Sequence, residues 1–141
     1  MHRPLLILLL ATCVSCNTTR QATTTITSSA ADFDKLTDDL LYGALALSPV
    51  AATQTGYHEH NGVPLDEMLD DYSQTGIEGQ RKFYDGIQSR VNSLNTATLD
   101  KQQQADLEII KNQLNLQLLE LNTIQSFKHN PTLYVELAGN A

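Results

Sequence analysis

The chain has 141 residues, enough for one domain of modest size, and its formal net charge is −7. Arg3 is the only charged residue among the first sixteen, so the chain without them carries 8 basic and 16 acidic residues, a net charge of −8. An acidic surface repels phosphate backbones, and no basic patch with interleaved aromatics offsets it, which excludes nucleic acid as a partner. Aromatic residues make up 6% of the chain and Trp is absent, so any core is built from leucine and other aliphatics.

Residues 1–16 read as a secretory signal. Arg3 gives a short positive start, residues 5–11 form an almost purely aliphatic run, and the segment closes on Thr12-Cys13-Val14-Ser15-Cys16. A membrane span needs about 18 or more apolar residues, so this run is too short to cross a bilayer. No cysteine follows Cys16, which leaves the rest of the chain without a structural disulfide. The pair Cys13-x-x-Cys16 does not sit beside a βαβ pattern, so a redox or metal pair fits poorly. The junction reads as a lipobox, with cleavage before Cys16 and diacylglycerol on its thiol. Ser15 supplies the small residue before the cut, although Cys13 replaces the usual Leu at minus three. Cleavage before Cys13 has the better minus-three residue, Leu10, but the bulkier Thr12 at minus one. Two or three acyl chains, at about 0.8 kcal/mol per buried CH₂, hold a protein stably on a membrane. The expectation is an exported lipoprotein of the cell envelope, periplasmic or membrane-anchored, with Cys16 as its lipidation site. Residues 17–30 are dominated by Thr and Ser, which cannot bury enough surface to offset ordering entropy, and are predicted to form a flexible tether.

The remainder, residues 31–141, reads as helices. Phe33, Leu36, Leu40, Ala44 and Leu47 recur at three- and four-residue steps with Asp and Lys between them, one apolar helix face ended by Ser48-Pro49. A short helical turn follows from Pro49 to about Gly56, and the Gly and Pro of residues 57–64 mark a loop. A second helix is predicted over about 73–94, with Ile77, Tyr84, Ile87, Val91 and Leu94 along one side. Its three glycines, Gly76, Gly79 and Gly86, each cost up to about 1 kcal/mol relative to Ala, so packing must hold it. After a break at Asn95-Thr96-Ala97-Thr98, a third helix is predicted over about 99–127. Thr98 lacks a capping-box acid three residues on, while Asp100 suits the first turn. Leu107, Ile110, Leu114, Leu118 and Leu121 form its stripe, widened by Ile109, Leu116 and Leu119. At 1.5 Å per residue it would span roughly 43 Å. So wide a stripe fits a helix covered by more than one neighbour better than the narrow seam of a coiled-coil dimer. His129-Asn130-Pro131 stops it, and residues 133–137 begin another apolar element. No sustained strand alternation occurs. The predicted fold is all-α, a lobe of three or more antiparallel helices.

Chemistry is sparse. His58-Glu59-His60 has histidines two apart, whereas a zinc-binding His-Glu-x-x-His helix needs them four apart to share one face. The fifth position is Gly62, and no third ligand is evident, so the stretch reads as a polar loop. His129 reads as a helix-end residue beside the negative end of the dipole. Asp66, Glu67, Asp70 and Asp71 read as a solvated helix face, without the spacing of a calcium loop. Tyr57 and Tyr134 read as core edges. There is no nucleophile elbow, no phosphate-binding glycine loop and no cysteine beyond the signal region. Residue chemistry assigns no catalytic, cofactor-binding or metal site to this chain.

Four stretches carry a family resemblance. Phe33-Asp34-Lys35-Leu36 and Leu47-Ser48-Pro49-Val50-Ala51-Ala52-Thr53-Gln54-Thr55-Gly56-Tyr57-His58-Glu59 are followed by Asp106-Leu107-Glu108-Ile109-Ile110-Lys111-Asn112-Gln113-Leu114 and His129-Asn130-Pro131-Thr132-Leu133-Tyr134-Val135. In order and spacing they resemble the opening of the bacterial domain-of-unknown-function family number 885, from about Asp32 onward. Members are longer, helical, often exported and similar to zinc metallopeptidases. The resemblance implies zinc for full-length relatives, held by a His-Glu-x-x-His-type helix beyond the region present here. His58-Glu59-His60 does not match that motif. This chain is therefore expected to be an inactive N-terminal helical part of such a hydrolase, cut short just past an apolar element, whose partner is the remaining C-terminal part of the domain. The alternative is a free-standing helical envelope lipoprotein that binds a helical partner through its Leu-rich face.

Overall fold

A computed structural model describes the backbone of residues 19–140 and the side chains of residues 30–139. The signal, Cys13 and Cys16 lie outside the described residues. The fold is all-α. Helix α1 spans Thr19–Ala46, α2 Pro49–Gln54, α3 Gln74–Ser93, α4 Lys101–Leu119, α5 Ser126–His129 and α6 Pro131–Asn140. Helix α1 begins within the stretch read as a tether, so its first turns overlap residues 17–30. Its first core residue among the described side chains is Phe33.

Helix α3 is the hub. Asp39 of α1 accepts from Arg90, and Gly43 of α1 meets the Phe83 ring, so α1 and α3 run antiparallel. Arg81, near the start of α3, reaches Leu121 and Asn122 beyond the end of α4, so these two also run antiparallel. Both outer helices lay their stripes on α3. Phe33 and Leu36 of α1, Ile77, Tyr84, Ile87 and Val91 of α3, and Leu107, Ile110 and Leu114 of α4 share one buried cluster. Each Leu buried in this way contributes about 1.5–3 kcal/mol.

Local chemistry explains the ends. Pro49 opens α2 at the position that needs no N–H. Gly56, at φ +84°, closes it with a Schellman pair, in which Tyr57 N–H bonds the Ala52 carbonyl and Gly56 N–H that of Thr53. Ser73 caps α3 by accepting from Gly76 N–H at 3.1 Å. For α4 the structure corrects the reading centred on Thr98. Asp100 is the N-cap, and its carboxylate accepts from Gln103 N–H while the Gln103 side chain accepts from Asp100 N–H, a complete capping box.

Two further corrections concern shape. The third helix does not run unbroken to residue 127. Glu120–Ile124 forms a π-turn, and Gln125 takes the left-handed conformation at φ 55°. The Arg81 guanidinium donates to the Leu121 carbonyl at 2.7 Å and to Asn122 Oδ1 at 3.0 Å. A donor forty residues away in sequence thus satisfies a backbone group of the turn. Glu120 then caps α5 by accepting from Ser126 N–H at 2.7 Å. Within the loop after α2, Glu59–His60 and Val63–Pro64 form a two-residue antiparallel ladder, β1 and β2. Its turn, Asn61-Gly62, has both residues at positive φ, as a tight hairpin turn requires.

Candidate functional site

The hairpin holds the histidines apart. His58 Nδ1–H donates to Asp66 at 2.7 Å, and Thr53 Oγ1 donates to the same carboxylate oxygen at 2.9 Å. These two hydrogen bonds, His58 first, hold the Asp66 carboxyl below the usual carboxylate range. His60 is engaged at both ring nitrogens. The Asn61 amide donates to Nε2 at 2.9 Å, so in the neutral ring Nδ1 carries the proton and donates to the Tyr57 hydroxyl oxygen at 2.9 Å. Tyr57 in turn stacks at a tilt against Tyr42 of α1, ring centroids 5.3 Å apart, which fixes the hairpin on the helix. Among the described residues no group of three His, Cys, Asp or Glu side chains converges on a point where a metal could sit. The described residues thus do not bring together the three such ligands that a hydrolytic zinc centre takes beside its open position.

The acidic run is not a helix face. Residues 65–73 form turns and bends outside any helix, and each of three carboxylates has a structural task. Asp66 ties the hairpin as described. Asp70 accepts from Val50 N–H at 3.2 Å, capping the start of α2 where Ser48 makes no side-chain cap bond. Burial raises its carboxyl, and the Val50 hydrogen bond only partly offsets that. Asp71 accepts from Ser73 at the entrance of α3, which lowers its carboxyl. Asp66 and Asp71 stay exposed to water, and of the three only Asp70 is half-buried, against the start of α2. His129 ends α5, the helix-terminal position read from the sequence. Tyr134 lies on α6, its hydroxyl donating to the Phe127 carbonyl.

The larger feature is a groove. Because α1 and α4 both pack on α3 and barely touch each other, an open cleft of about 760 Å³ lies between them. Its walls are Leu40, Leu41 and Leu45 of α1 and Ile109 and Ile110 of α4, with Tyr84 and Leu121 beneath. Tyr72, Phe127 and Leu133 contribute to its lining from the following elements. Burial raises the Tyr84 phenol, as an apolar floor demands, and Tyr72 likewise. Leu41 is 53% exposed and Ile109 67%, so large aliphatic side chains stand at the mouth in water. Leu116 and Leu119 of α4 and Ile124 of the π-turn are also exposed.

The widened stripe of the third helix, expected to be covered by more than one neighbour, is thus covered on the α3 side alone among the described residues. The excess Ile109, Leu116 and Leu119 in the sequence was the legible signal. Leu41 and Leu45 were missed because they stand one position beyond the Leu40–Ala44 stripe. No helix among the described residues is long and apolar enough to cross a membrane. Comparison with known proteins adds no constraint: no family model, curated protein or solved structure matches the chain.

Proposed function

We propose that residues 31–141 are the N-terminal helical lobe of an exported, lipid-anchored, zinc-peptidase-like hydrolase, and that this lobe carries no catalytic site of its own. The observation that carries the reading is the uncovered apolar groove between α1 and α4. Large aliphatic side chains left in water along one cleft, such as Leu41 and Ile109, are surface that a further element would cover. The resemblance of Phe33–Leu36, the Leu47–Glu59 stretch and the two later landmarks to family 885 supplies the identity of what would cover it. In this role the lobe forms one wall of the hydrolase and contributes packing rather than chemistry. Its histidines hold a hairpin, and the metal ligands belong to the remainder of the domain. The lipid on Cys16 tethers the assembly to the envelope membrane.

The test is zinc content after dialysis, with a peptidase assay, on this chain and on a longer protein that continues the same segment into a His-Glu-x-x-His helix. The expected result is zinc and cleavage in the longer protein and neither in this chain. Stoichiometric zinc here, abolished by His58→Ala or His60→Ala, would overturn the reading and make the hairpin the site. Zinc in neither protein would remove the hydrolase and leave the free-standing helical interaction module.

A further inference from the structure

We infer that Asn61 is a self-modification site gated by its hairpin. It loses ammonia and becomes aspartate or isoaspartate only when the hairpin opens, and the isoaspartate product keeps the hairpin open.

The reaction needs nothing but the chain and water. Asn61 is the only asparagine in the sequence followed by glycine, the neighbour that crowds its own backbone nitrogen least. The Gly62 nitrogen gives up its proton to water and attacks the Asn61 side-chain carbonyl carbon. A new N–C bond closes a five-membered succinimide, while the bond from that carbon to the amide nitrogen breaks. The amide nitrogen takes up a proton and leaves as ammonia. Water then opens the ring. Cleavage of the new bond gives aspartate. Cleavage of the old main-chain bond gives isoaspartate, whose backbone runs through Cβ and Cγ and is one carbon longer. Either product adds a negative charge. Asn61 and Gly62 are both exposed, and open space surrounds the point where a Cβ on Gly62 would stand, so water reaches the site.

The closed hairpin withholds both reacting groups. Asn61 and Gly62 lie between the paired residues His60 and Val63, at φ 49° and 79°. A turn of this mirror-image type has ψ of about +30° at its first central residue. The Gly62 nitrogen is then across the Cα–C bond from the Asn61 side chain, out of reach of its carbonyl carbon. Ring closure needs nearly half a turn about that bond, which breaks the pairing of His60 with Val63. The leaving group is held as well. The Asn61 amide donates to His60 Nε2 at 2.9 Å, His60 Nδ1 bonds the Tyr57 hydroxyl at 2.9 Å, and Tyr57 packs on Tyr42. Buried Leu65 pins the returning strand, its N–H bonding the His58 carbonyl at 2.8 Å. Conversion therefore runs only through the open fraction of the hairpin. Isoaspartate makes the change one-way, because a two-residue turn has no room for a further backbone carbon and the amide that donated to His60 is gone.

The full chain is held at neutral pH in buffer and in guanidinium chloride, sampled over weeks, and digested. Mass spectrometry reads the gain of one dalton at Asn61 and the isoaspartate fragments. Conversion is expected to be about tenfold or more slower in buffer than in denaturant. His60→Phe, which removes the clasp, is expected to raise the rate in buffer severalfold and to leave the rate in denaturant unchanged. Asn92, exposed on α3, is the internal control and is expected to stay intact in buffer in both proteins. The isoaspartate form, separated by its extra charge, is expected to lose hydrogen-exchange protection at the Leu65 N–H. Equal rates in buffer and denaturant, or no conversion in denaturant, overturn the inference. So does an unchanged rate in His60→Phe, or a fall in both media, which would make His60 a promoter of the reaction rather than a clasp. Conversion of Asn92 alongside Asn61 in buffer would mean opening of the whole fold and overturns the local gate. Retained protection at Leu65 in the isoaspartate form overturns the one-way step.

Discussion

Leu114 and Leu116 sit two residues apart on α4 and should respond oppositely to the same truncation. Leu114 is 1% exposed, facing α3 within the core, whereas Leu116 is 60% exposed on the shoulder. Leu114→Ala deletes three carbons from a packed site, a transfer loss of about 2.4 kcal/mol at about 0.8 kcal/mol per methylene. The hole that remains adds to this, because close-packed neighbours relax only partly, bringing the expected cost to about 3–4 kcal/mol. For a helical body of this size a loss of 1 kcal/mol lowers the melting temperature by roughly 4 °C, so the variant should melt about 12–16 °C lower. Leu116→Ala removes the same atoms from water and should stay within about 0.5 kcal/mol of the parent. Thermal melts followed by far-ultraviolet circular dichroism measure both. Equal drops, or no drop in Leu114→Ala, would mean that α4 is rotated from the packing described and that the groove lies elsewhere.

Asp100→Ala should cost about 0.5–2 kcal/mol by opening the capping box, and adding Gln103→Ala should cost less than it does alone, measurable in a double-mutant cycle by denaturant titration. Gly79→Ala and Gly86→Ala, whose added methyls meet nothing, should each raise stability by about 0.5–1 kcal/mol, while Gly76→Ala should lower it because the methyl strikes the Asp71 backbone carbonyl. Asp39, Asp66 and Asp71 all have lowered carboxyls, so their stabilisation is complete above the ordinary value of 3.8 and lost as pH falls through their folded values. Melting temperature should therefore fall below about pH 4. Asp70 runs the other way: its raised carboxyl weakens the fold at neutral pH, so Asp70→Asn, which keeps an acceptor for Val50, should raise the melting point at pH 7 and not at pH 3. Cys16→Ser should abolish palmitate labelling in cells and Cys13→Ser should not; undiminished label in the first variant would reject the lipobox.

Periodicity carried most of the fold. Stripes such as Phe33–Leu36–Leu40 and Leu107–Ile110–Leu114 are local facts, since a helix turns every 3.6 residues whatever it packs against, and the core fills from these positions. Pro49, Gly56 and Ser73 were legible for the same reason, because a cap is decided within one turn of chain. The Asn61-Gly62 hairpin and the Asp100–Gln103 box are equally local.

What the sequence could not disclose is what depends on partners far away in the chain. The π-turn at Glu120–Ile124 is braced by Arg81, and the start of α2 is capped by Asp70 twenty residues on. The acidic run reads as a solvated helix, yet Asp66 and Asp70 become struts because His58 and Thr53 on one side and the Val50 N–H of α2 on the other present donors to them. The groove, too, is a tertiary fact. A stripe announces that a side chain is apolar, but α3 alone decides which part of α1 and α4 is covered. One helix can fill only one side of each neighbour, so Leu41 and Ile109 are left facing each other across water.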